Sequence, residues 1–166
     1  MERSLVASSG NESVRQLDQA LAAFLEHYAA HLLDRTVLHD GVEALLRALA
    51  ADGVVQSVAT NKPEAMARAI LHGLGVAQVF VDVVGGDSVP NHKPDPAMLH
   101  ALAARTGMGP RDTLLVGDSP VDVATARAAG VAVCAVTWGL TPTAVLRDAV
   151  PDYLIDRPDE LLPIAT

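Results

Sequence analysis

The most constraining feature of this chain is one strand–turn–helix segment, residues 111–130, which reads RDTLLVGDSPVDVATARAAG. Residues 113–116 form the short apolar run typical of a buried strand, and a Gly-Asp pair at 117–118 follows directly. Ser119-Pro120 predicts the start of a helix that ends at Gly130. Open parallel α/β sheets bind ligands at the carboxyl ends of their strands, so this junction is a candidate functional site.

The rest of the chain alternates apolar runs with helical patterns. Strands are predicted at residues 54–59, 79–84, 113–116, 131–137 and 153–155. Helices are predicted at residues 14–33, 42–50, 63–72, 96–106, 119–130 and 142–148. Such alternation indicates βαβ units with right-handed crossovers. We therefore predict an α/β fold in which a doubly wound, Rossmann-like parallel sheet lies between two helical layers.

Composition narrows the classes of function. The 166 residues suffice for one domain with a core, which must consist of Ala, Val and Leu because only 3% of the residues are aromatic. The formal net charge of −8 argues against nucleic-acid and anionic-membrane binding. The single cysteine, Cys134, cannot form an internal disulfide, so a reducing cytoplasm is expected. No apolar run approaches the ~18 residues of a membrane span, and the N-terminus is too polar for a signal peptide.

Polar residues follow three predicted strands, and in a parallel sheet those ends share one edge. Thr60, followed by Asn61, is suited to bind phosphate oxygens together with nearby backbone N–H groups. Lys93 is suited to neutralise phosphate charge. Asp118 is a candidate Mg²⁺ ligand, and Asp122, one helical turn later, would bind the ion or its waters.

Each of these residues also has a simpler explanation. Ser119 and Asp122 have the spacing of a helix capping box, which alone accounts for both. Asp118 favours a helix N-terminus, and Lys62 and Lys93 each precede a proline in a loop. The occurrence of all of them in order at strand ends favours a site over capping.

Three segments in this order resemble the haloacid dehalogenase superfamily, and most closely its phosphoglycolate phosphatase-like branch. They read V-A-T-N-K-P at 58–63, G-G-D-S-V-P-x-x-K-P-D-P at 85–96 and V-G-D-S-x-x-D-x-x-x-A-R-A-A-G at 116–130. The resemblance spans about residues 38–155. It implies that Thr60 and Asn61 bind phosphate, that Lys93 is the catalytic lysine that stabilises nucleophile and phosphate, and that Asp118 and Asp122 hold Mg²⁺.

The chain departs from the family pattern in one respect. The family's nucleophile and acid/base are the two aspartates of a D-x-D-x-T motif after the first central strand, and no D-x-D occurs in these 166 residues. The resemblance thus implies that residues 1–37 are a remnant of the helical cap and residues 38–166 an incomplete core. We expect a truncated, inactive or nearly inactive chain. One explanation is a mis-called start codon, in which case Met1 would be an internal methionine of a longer reading frame.

The absent strand would lie between the strands that end at Ala59 and Val116. Unpaired buried backbone groups cost roughly 1–3 kcal/mol each, against a total stability of about 5–15 kcal/mol. Three outcomes are expected: the two halves pair directly, another chain donates the strand, or the fold is poorly stable. Residues 4–7 would fill part of the gap.

The resulting interpretation is a Mg²⁺-dependent phosphomonoester hydrolase of the phosphoglycolate phosphatase type. Its partners would be a small phosphorylated metabolite and either a second copy or a strand-donating chain, with no nucleic acid or membrane. An alternative is a non-catalytic α/β domain that binds phosphate or Mg²⁺ or pairs with another chain. A third is a receiver-like domain in which Asp118 accepts phosphate.

Overall fold

A computed structural model describes residues 14–17, 19–20, 23–24 and 26–166. The chain divides into two compact units, residues 1–36 and 37–166. In the first unit the described residues up to Ala30 are helical, and turns and bends follow through Arg35. The predicted helix therefore ends earlier than Leu33. The assignment of this unit as a cap remnant stays a prediction.

The apolar positions of this helix are not uniformly buried. Leu17 is 69% and Phe24 62% exposed, whereas Leu32, beyond the helix, is buried. The predicted positions Leu21 and Leu25, and the segment 4–7, lie outside the described residues. The amphipathic pattern is therefore not matched by burial at Leu17 and Phe24.

The second unit contains the predicted alternation of strands and helices. Its strands are β1 Gln56–Ala59, β2 Phe80–Val84, β3 Leu114–Gly117, β4 Ala132–Val136 and β5 Tyr153–Ile155. Its α-helices are α1 Val42–Ala51, α2 Glu64–Gly73, α3 Ala97–Thr106, α4 Pro120–Ala129, α5 Thr143–Asp148 and α6 Leu162–Ala165. Single 3₁₀ turns lie at Ala77–Val79, Gly86–Ser88, Pro110–Asp112 and Pro158–Leu161.

Glycines follow the ends of α1 and α4, at Gly130 as predicted, and the end of α1 determines where β1 begins. Gly53 after α1 and Gly130 after α4 have φ values of 79° and 69°, a left-handed conformation that glycine adopts without strain. The N–H of Val54 then donates to Leu49 O at 2.9 Å, which completes the end of α1. Val54 and Val55, predicted to be strand residues, therefore precede β1.

All strand pairs are parallel, which confirms the predicted fold class. β1 pairs with β2 in a two-stranded sheet, and β3, β4 and β5 form a three-stranded sheet in that order. Within the described residues β1 and β3 do not pair with each other. Direct closure of the two halves is thus not the outcome seen here, while the absence of a family strand stays a prediction.

Helices cover both faces of the three-stranded sheet. One face packs on α1 and the C-terminal segment in a cluster of Leu45, Leu49, Cys134, Val136, Ile155 and Leu161. The other packs on α4 and α3 in a cluster of Leu99, Leu115, Val123, Ala126 and Val133. Met98 and Leu102 of α3 also pack on Val84 of β2, and Ala59 contacts both α3 clusters. The helix α3 therefore joins the two sheets.

In the part of the chain that the structure describes, no helix combines the length and apolar character required to cross a bilayer.

Candidate active site

Three chain segments meet where β1 and β3 end, and Lys93 connects them. The Nζ atom of Lys93 lies 2.7 Å from Oδ1 of Asp122, in the first turn of α4. The backbone of Lys93 is bonded to Asn61, which lies two residues after β1. The structure therefore brings together three of the residues that the sequence placed at one sheet edge.

The Lys93–Asp122 ion pair is shielded from water on both sides. The side chain of Lys93 is 14% exposed and that of Asp122 is 9% exposed. The second carboxylate oxygen of Asp122 accepts a 2.6 Å hydrogen bond from Ser119 Oγ, and Ser119 Oγ in turn accepts from the Asp122 N–H as the helix cap. Capping and ion pairing thus coexist, and together they fix the direction of the Lys93 ammonium.

The side-chain amide of Asn61 holds the Lys93 backbone. Its Nδ2 donates to the Lys93 carbonyl at 3.1 Å, and its Oδ1 accepts from the Lys93 N–H at 2.8 Å. Both the nitrogen and the oxygen of the amide group therefore position the loop that contains Lys93. A direct contact between Asn61 and phosphate, implied by the family resemblance, stays a prediction.

Thr60 extends the β1–β2 ladder beyond the end of β1. Its N–H donates to Val84 O at 3.0 Å, and its Oγ1 accepts from the Lys62 N–H at 3.2 Å. A hydroxyl that accepts a hydrogen bond still carries its own proton for donation. Thr60 is therefore equipped to donate to a phosphate oxygen at the end of the strand.

The loop after β4 orients the carboxylate of Asp118. Oδ2 of Asp118 accepts a 3.0 Å hydrogen bond from the N–H of Leu140. A Cβ atom at Gly139 would lie 2.2 Å from the same oxygen, so only glycine fits there. The sequence signal for this contact is a Trp-Gly pair shortly after a predicted strand, and sequence reasoning did not connect it with Asp118.

Two further glycines allow close approach in the site. A Cβ at Gly117 would lie 2.4 Å from Cγ of Asp122, and a Cβ at Gly86 would lie 2.4 Å from the carbonyl oxygen of Asn61. The N–H of Gly86 also donates to Lys62 O at 2.9 Å. These glycines let the segments that carry Asn61 and Asp122 pack directly on their neighbours.

The loop that contains Gly86 is fastened to the start of α2. Ser88 Oγ donates to Glu64 Oε2 at 2.5 Å, and the N–H of Glu64 donates to Asp87 Oδ1 at 2.7 Å. The hydrogen bond from Ser88, followed by that from Arg68, lowers the pKa of Glu64. A charged Glu64 therefore helps to hold this side of the site in place.

Asp118 and Asp122 differ in how many carboxylate oxygens remain available to bind a metal ion. Among the described residues, no group of three or more His, Cys, Asp or Glu side chains is arranged to hold one. Asp122 uses both oxygens, on Lys93 and Ser119, whereas the described bond to Asp118 engages Oδ2. Mg²⁺ is often held by one or two carboxylates, with water and phosphate completing its shell. Asp118 fits such an ion, and the predicted role of Asp122 as a ligand would require it to give up one present bond.

Comparison with known proteins identifies the family of this chain. Residues 3–136 match the sequence model of the haloacid dehalogenase-like hydrolases. The chain is 53% identical over 119 residues to a phosphoglycolate phosphatase of Rhodospirillum rubrum, covering 72% of this chain and 49% of that protein. It is 36% identical over 168 residues to phosphoglycolate phosphatase 1 of Pseudomonas aeruginosa, covering 99% of this chain and 61% of the relative.

A solved structure of a predicted phosphoglycolate phosphatase from Haemophilus somnus superposes with a TM-score of 0.81 and 34% identity. That superposition covers 86% of this chain and 64% of the other chain. This chain thus spans about half to three fifths of the length of the two relatives named above. On the family match over residues 3–136, it belongs to the haloacid dehalogenase-like hydrolases.

Proposed function

We propose that this chain provides the phosphate- and metal-binding part of a phosphomonoester hydrolase of the phosphoglycolate phosphatase type. The observation that carries the proposal is the oriented Lys93 ammonium, held by Asp122 and Asn61 at the carboxyl ends of β1 and β3. Relatives named as phosphoglycolate phosphatases support phosphoglycolate as the substrate to test first.

Lys93, Thr60 and Asp118 would each contribute differently to binding a phosphate monoester. Lys93 has three ammonium donors, one of which faces Asp122, so the others are suited to phosphate oxygens. Thr60 would donate its hydroxyl proton to the same group. Asp118 would hold Mg²⁺, which when bound neutralises phosphate charge. This is charge stabilisation by preorganised groups, because the bonds to Asn61, Asp122 and Leu140 already fix the donors and the carboxylate.

We assign no nucleophile to these 166 residues. Covalent catalysis by a carboxylate needs an aspartate opposite the leaving group, and an acid must protonate the departing alkoxide. The D-x-D pair that supplies both in the resembling family is not in this sequence. Asp118 as the metal ligand would lie on the wrong side of phosphorus for in-line attack. We therefore expect phosphate binding with little or no turnover.

Two measurements test binding and turnover separately. In a thermal-unfolding assay, inorganic phosphate with Mg²⁺ should raise the Tm of the wild-type chain and have little effect on Lys93→Met. The matched control Arg47→Met removes an exposed positive charge on α1 and should keep the response. An unchanged response in Lys93→Met would refute the assigned role of Lys93.

Turnover is measured with phosphoglycolate and a generic aryl phosphate in the presence of Mg²⁺. This chain is assayed beside a fusion that extends it at the amino terminus by a segment with a D-x-D-x-T motif. We expect hydrolysis by the fusion and none, or nearly none, by the chain. Turnover by the chain that Asp118→Ala abolishes would refute the expected inactivity.

The division into two sheets favours a second candidate function, a non-catalytic domain that pairs with another chain. It predicts phosphate binding that no added segment converts into hydrolysis, so the fusion distinguishes the two. The cytoplasmic location and a homo-oligomeric state stay predictions.

A further inference from the structure

We propose that the backbone of the loop at residues 137–141 is a positioning element for the metal ion. Its Leu140 N–H holds the Asp118 carboxylate in the direction that Mg²⁺ requires, and so makes the site prefer Mg²⁺ over Ca²⁺. This role rests on the proposed function, in which Asp118 is the ligand of Mg²⁺, and adds to it the group that determines which ion fits.

The side chain of Asp118 lies directly against the loop backbone. The N–H of Leu140 donates to Asp118 Oδ2 at 3.0 Å. A Cβ atom at Gly139 would lie 2.2 Å from Oδ2 and 2.3 Å from Cβ of the same aspartate. The loop therefore contacts both ends of the Asp118 side chain and restricts its rotation.

The loop is anchored before it reaches Asp118. The N–H of Thr137 donates to Ile155 O, at the end of β5, at 3.1 Å. Thr137 Oγ1 donates to Asp156 Oδ1 at 2.7 Å. Trp138 packs on the apolar cluster that α1 forms with the three-stranded sheet. The residues that precede Gly139 are thus fastened to β5 and to the core.

The loop is also anchored after Leu140. Pro142 directly precedes α5, and its carbonyl accepts from the N–H of Val145 at 2.9 Å. Leu146 of the same helix is completely buried. The Leu140 N–H is therefore held from both sides, and it is oriented before an ion binds.

The side chain of Leu140 takes no part in the contact with Asp118. It is 98% exposed, so the contribution of this residue to the site is its backbone N–H. Proline lacks that group, whereas alanine keeps it. Leu140→Pro therefore removes the donor, and Leu140→Ala is a matched control that removes exposed apolar surface alone.

A fixed carboxylate favours the smaller of the two common divalent cations. Mg²⁺ demands nearly ideal octahedral geometry at about 2.0–2.1 Å, whereas Ca²⁺ accepts flexible arrangements of oxygens at about 2.3–2.6 Å. Oδ2 of Asp118 already accepts the Leu140 N–H, and within the described part of the chain Oδ1 accepts no hydrogen bond. Oδ1 is thus the oxygen available to an ion, and the loop sets its direction. Loss of the N–H should cost Mg²⁺ more than Ca²⁺.

Thermal unfolding of the full chain measures the affinity for each ion. The chain is titrated with MgCl₂ or CaCl₂ alone, and the rise in Tm gives a Kd for each salt. We expect the wild type and Leu140→Ala to bind Mg²⁺ more tightly than Ca²⁺. Leu140→Pro should weaken Mg²⁺ binding at least about tenfold, as does removal of other groups that orient a metal ligand, and should weaken Ca²⁺ binding less. The ratio of the two affinities distinguishes positioning from a general loss of structure, which would weaken both.

Two further variants complete the design. Gly139→Ala places a methyl group against the Asp118 carboxylate and should lower the preference for Mg²⁺ in the same direction. It provides the test if circular dichroism shows that Leu140→Pro is unfolded. Asp118→Ala should abolish the response to Mg²⁺, which locates the ion.

The results distinguish failure of the loop's role from failure of the proposed function. If both loop variants keep the wild-type ratio of affinities while Asp118→Ala abolishes Mg²⁺ binding, the loop has no positioning role and Asp118 remains the ligand. Equal affinity of the wild type for Mg²⁺ and Ca²⁺ would also overturn the assigned preference. If the wild type does not bind Mg²⁺, or Asp118→Ala still does, the metal role of Asp118 is wrong and the role of the loop with it.

Discussion

The ion pair between Lys93 and Asp122 allows a direct test of how the site is held together. Asp122→Asn keeps the size of the side chain and an oxygen for Ser119, and removes the charge that lies 2.7 Å from Lys93 Nζ. The two side chains are 14% and 9% exposed, so water can replace the carboxylate only in part. The variant should therefore unfold more easily.

The expected loss in the free energy of unfolding follows from the burial of the two side chains. Removing one partner of a fully buried ion pair costs about 3–5 kcal/mol, because the other charge stays unpaired. The residual exposure of Lys93 reduces that figure, and we expect a loss of ~2–4 kcal/mol in the free energy of unfolding. Adding Lys93→Met removes the unpaired ammonium, so the double variant should be more stable than the sum of the single losses predicts. The coupling should be about 1–3 kcal/mol.

Urea unfolding followed by the fluorescence of Trp138 measures these values, since Trp138 is the single tryptophan and packs on the α1 cluster. The control cycle uses Glu43→Gln and Arg47→Met, an exposed pair with side chains 55% and 53% accessible. Exposed helical pairs couple by about 0.3–0.5 kcal/mol. A coupling for Lys93 and Asp122 no larger than that of this control would refute the claim that the buried ion pair organises the site.

Further substitutions and a labelling experiment test other parts of the structure. Gly139→Ala places a methyl group against Asp118 and should lower the free energy of unfolding by about 1–3 kcal/mol in urea; an unchanged midpoint would contradict the close contact. Hydrogen bonding from Arg105, the largest cause, lowers the pKa of Asp82, so its charged form stabilises the fold above the ordinary aspartate pKa of about 3.9, and that contribution is lost as the pH falls below it. The difference in the free energy of unfolding between wild type and Asp82→Asn should accordingly shrink from pH ~5 to pH ~3 in urea titrations. A difference that grows over this range would contradict the lowered pKa of Asp82. Burial raises the pKa of the Cys134 thiol to about 11, so a thiol reagent at neutral pH should label the folded chain far more slowly than the urea-unfolded chain, and equal rates would exclude a buried thiol.

The alternation of elements could be predicted because turn residues mark nearly every boundary. The helix predicted to end at Gly130 does so, with this glycine in the left-handed conformation. Asp95 accepts a hydrogen bond from the N–H of Ala97 at the start of α3, which was predicted to begin at residue 96. The error at Val54 and Val55 arose because β-branched residues favour a strand, whereas the end of α1 already uses the N–H of Val54.

The sequence was sufficient to predict which residues form the site, but not which hydrogen bonds connect them. Parallel strands end at one edge, which is sufficient to place Lys93 near Asp122. The clamp of Asn61 on Lys93 joins residues 32 positions apart, and the bond from Leu140 to Asp118 joins residues 22 apart. Such bonds involve one backbone group each, and any residue can supply a backbone group. They therefore leave no periodic signal in the sequence.

The hydrogen bonds that orient the site also connect the two sheets. Lys93 reaches β1 through Asn61 and β3 through Asp122, so a change that loosens the ammonium also loosens the link between the strand ends.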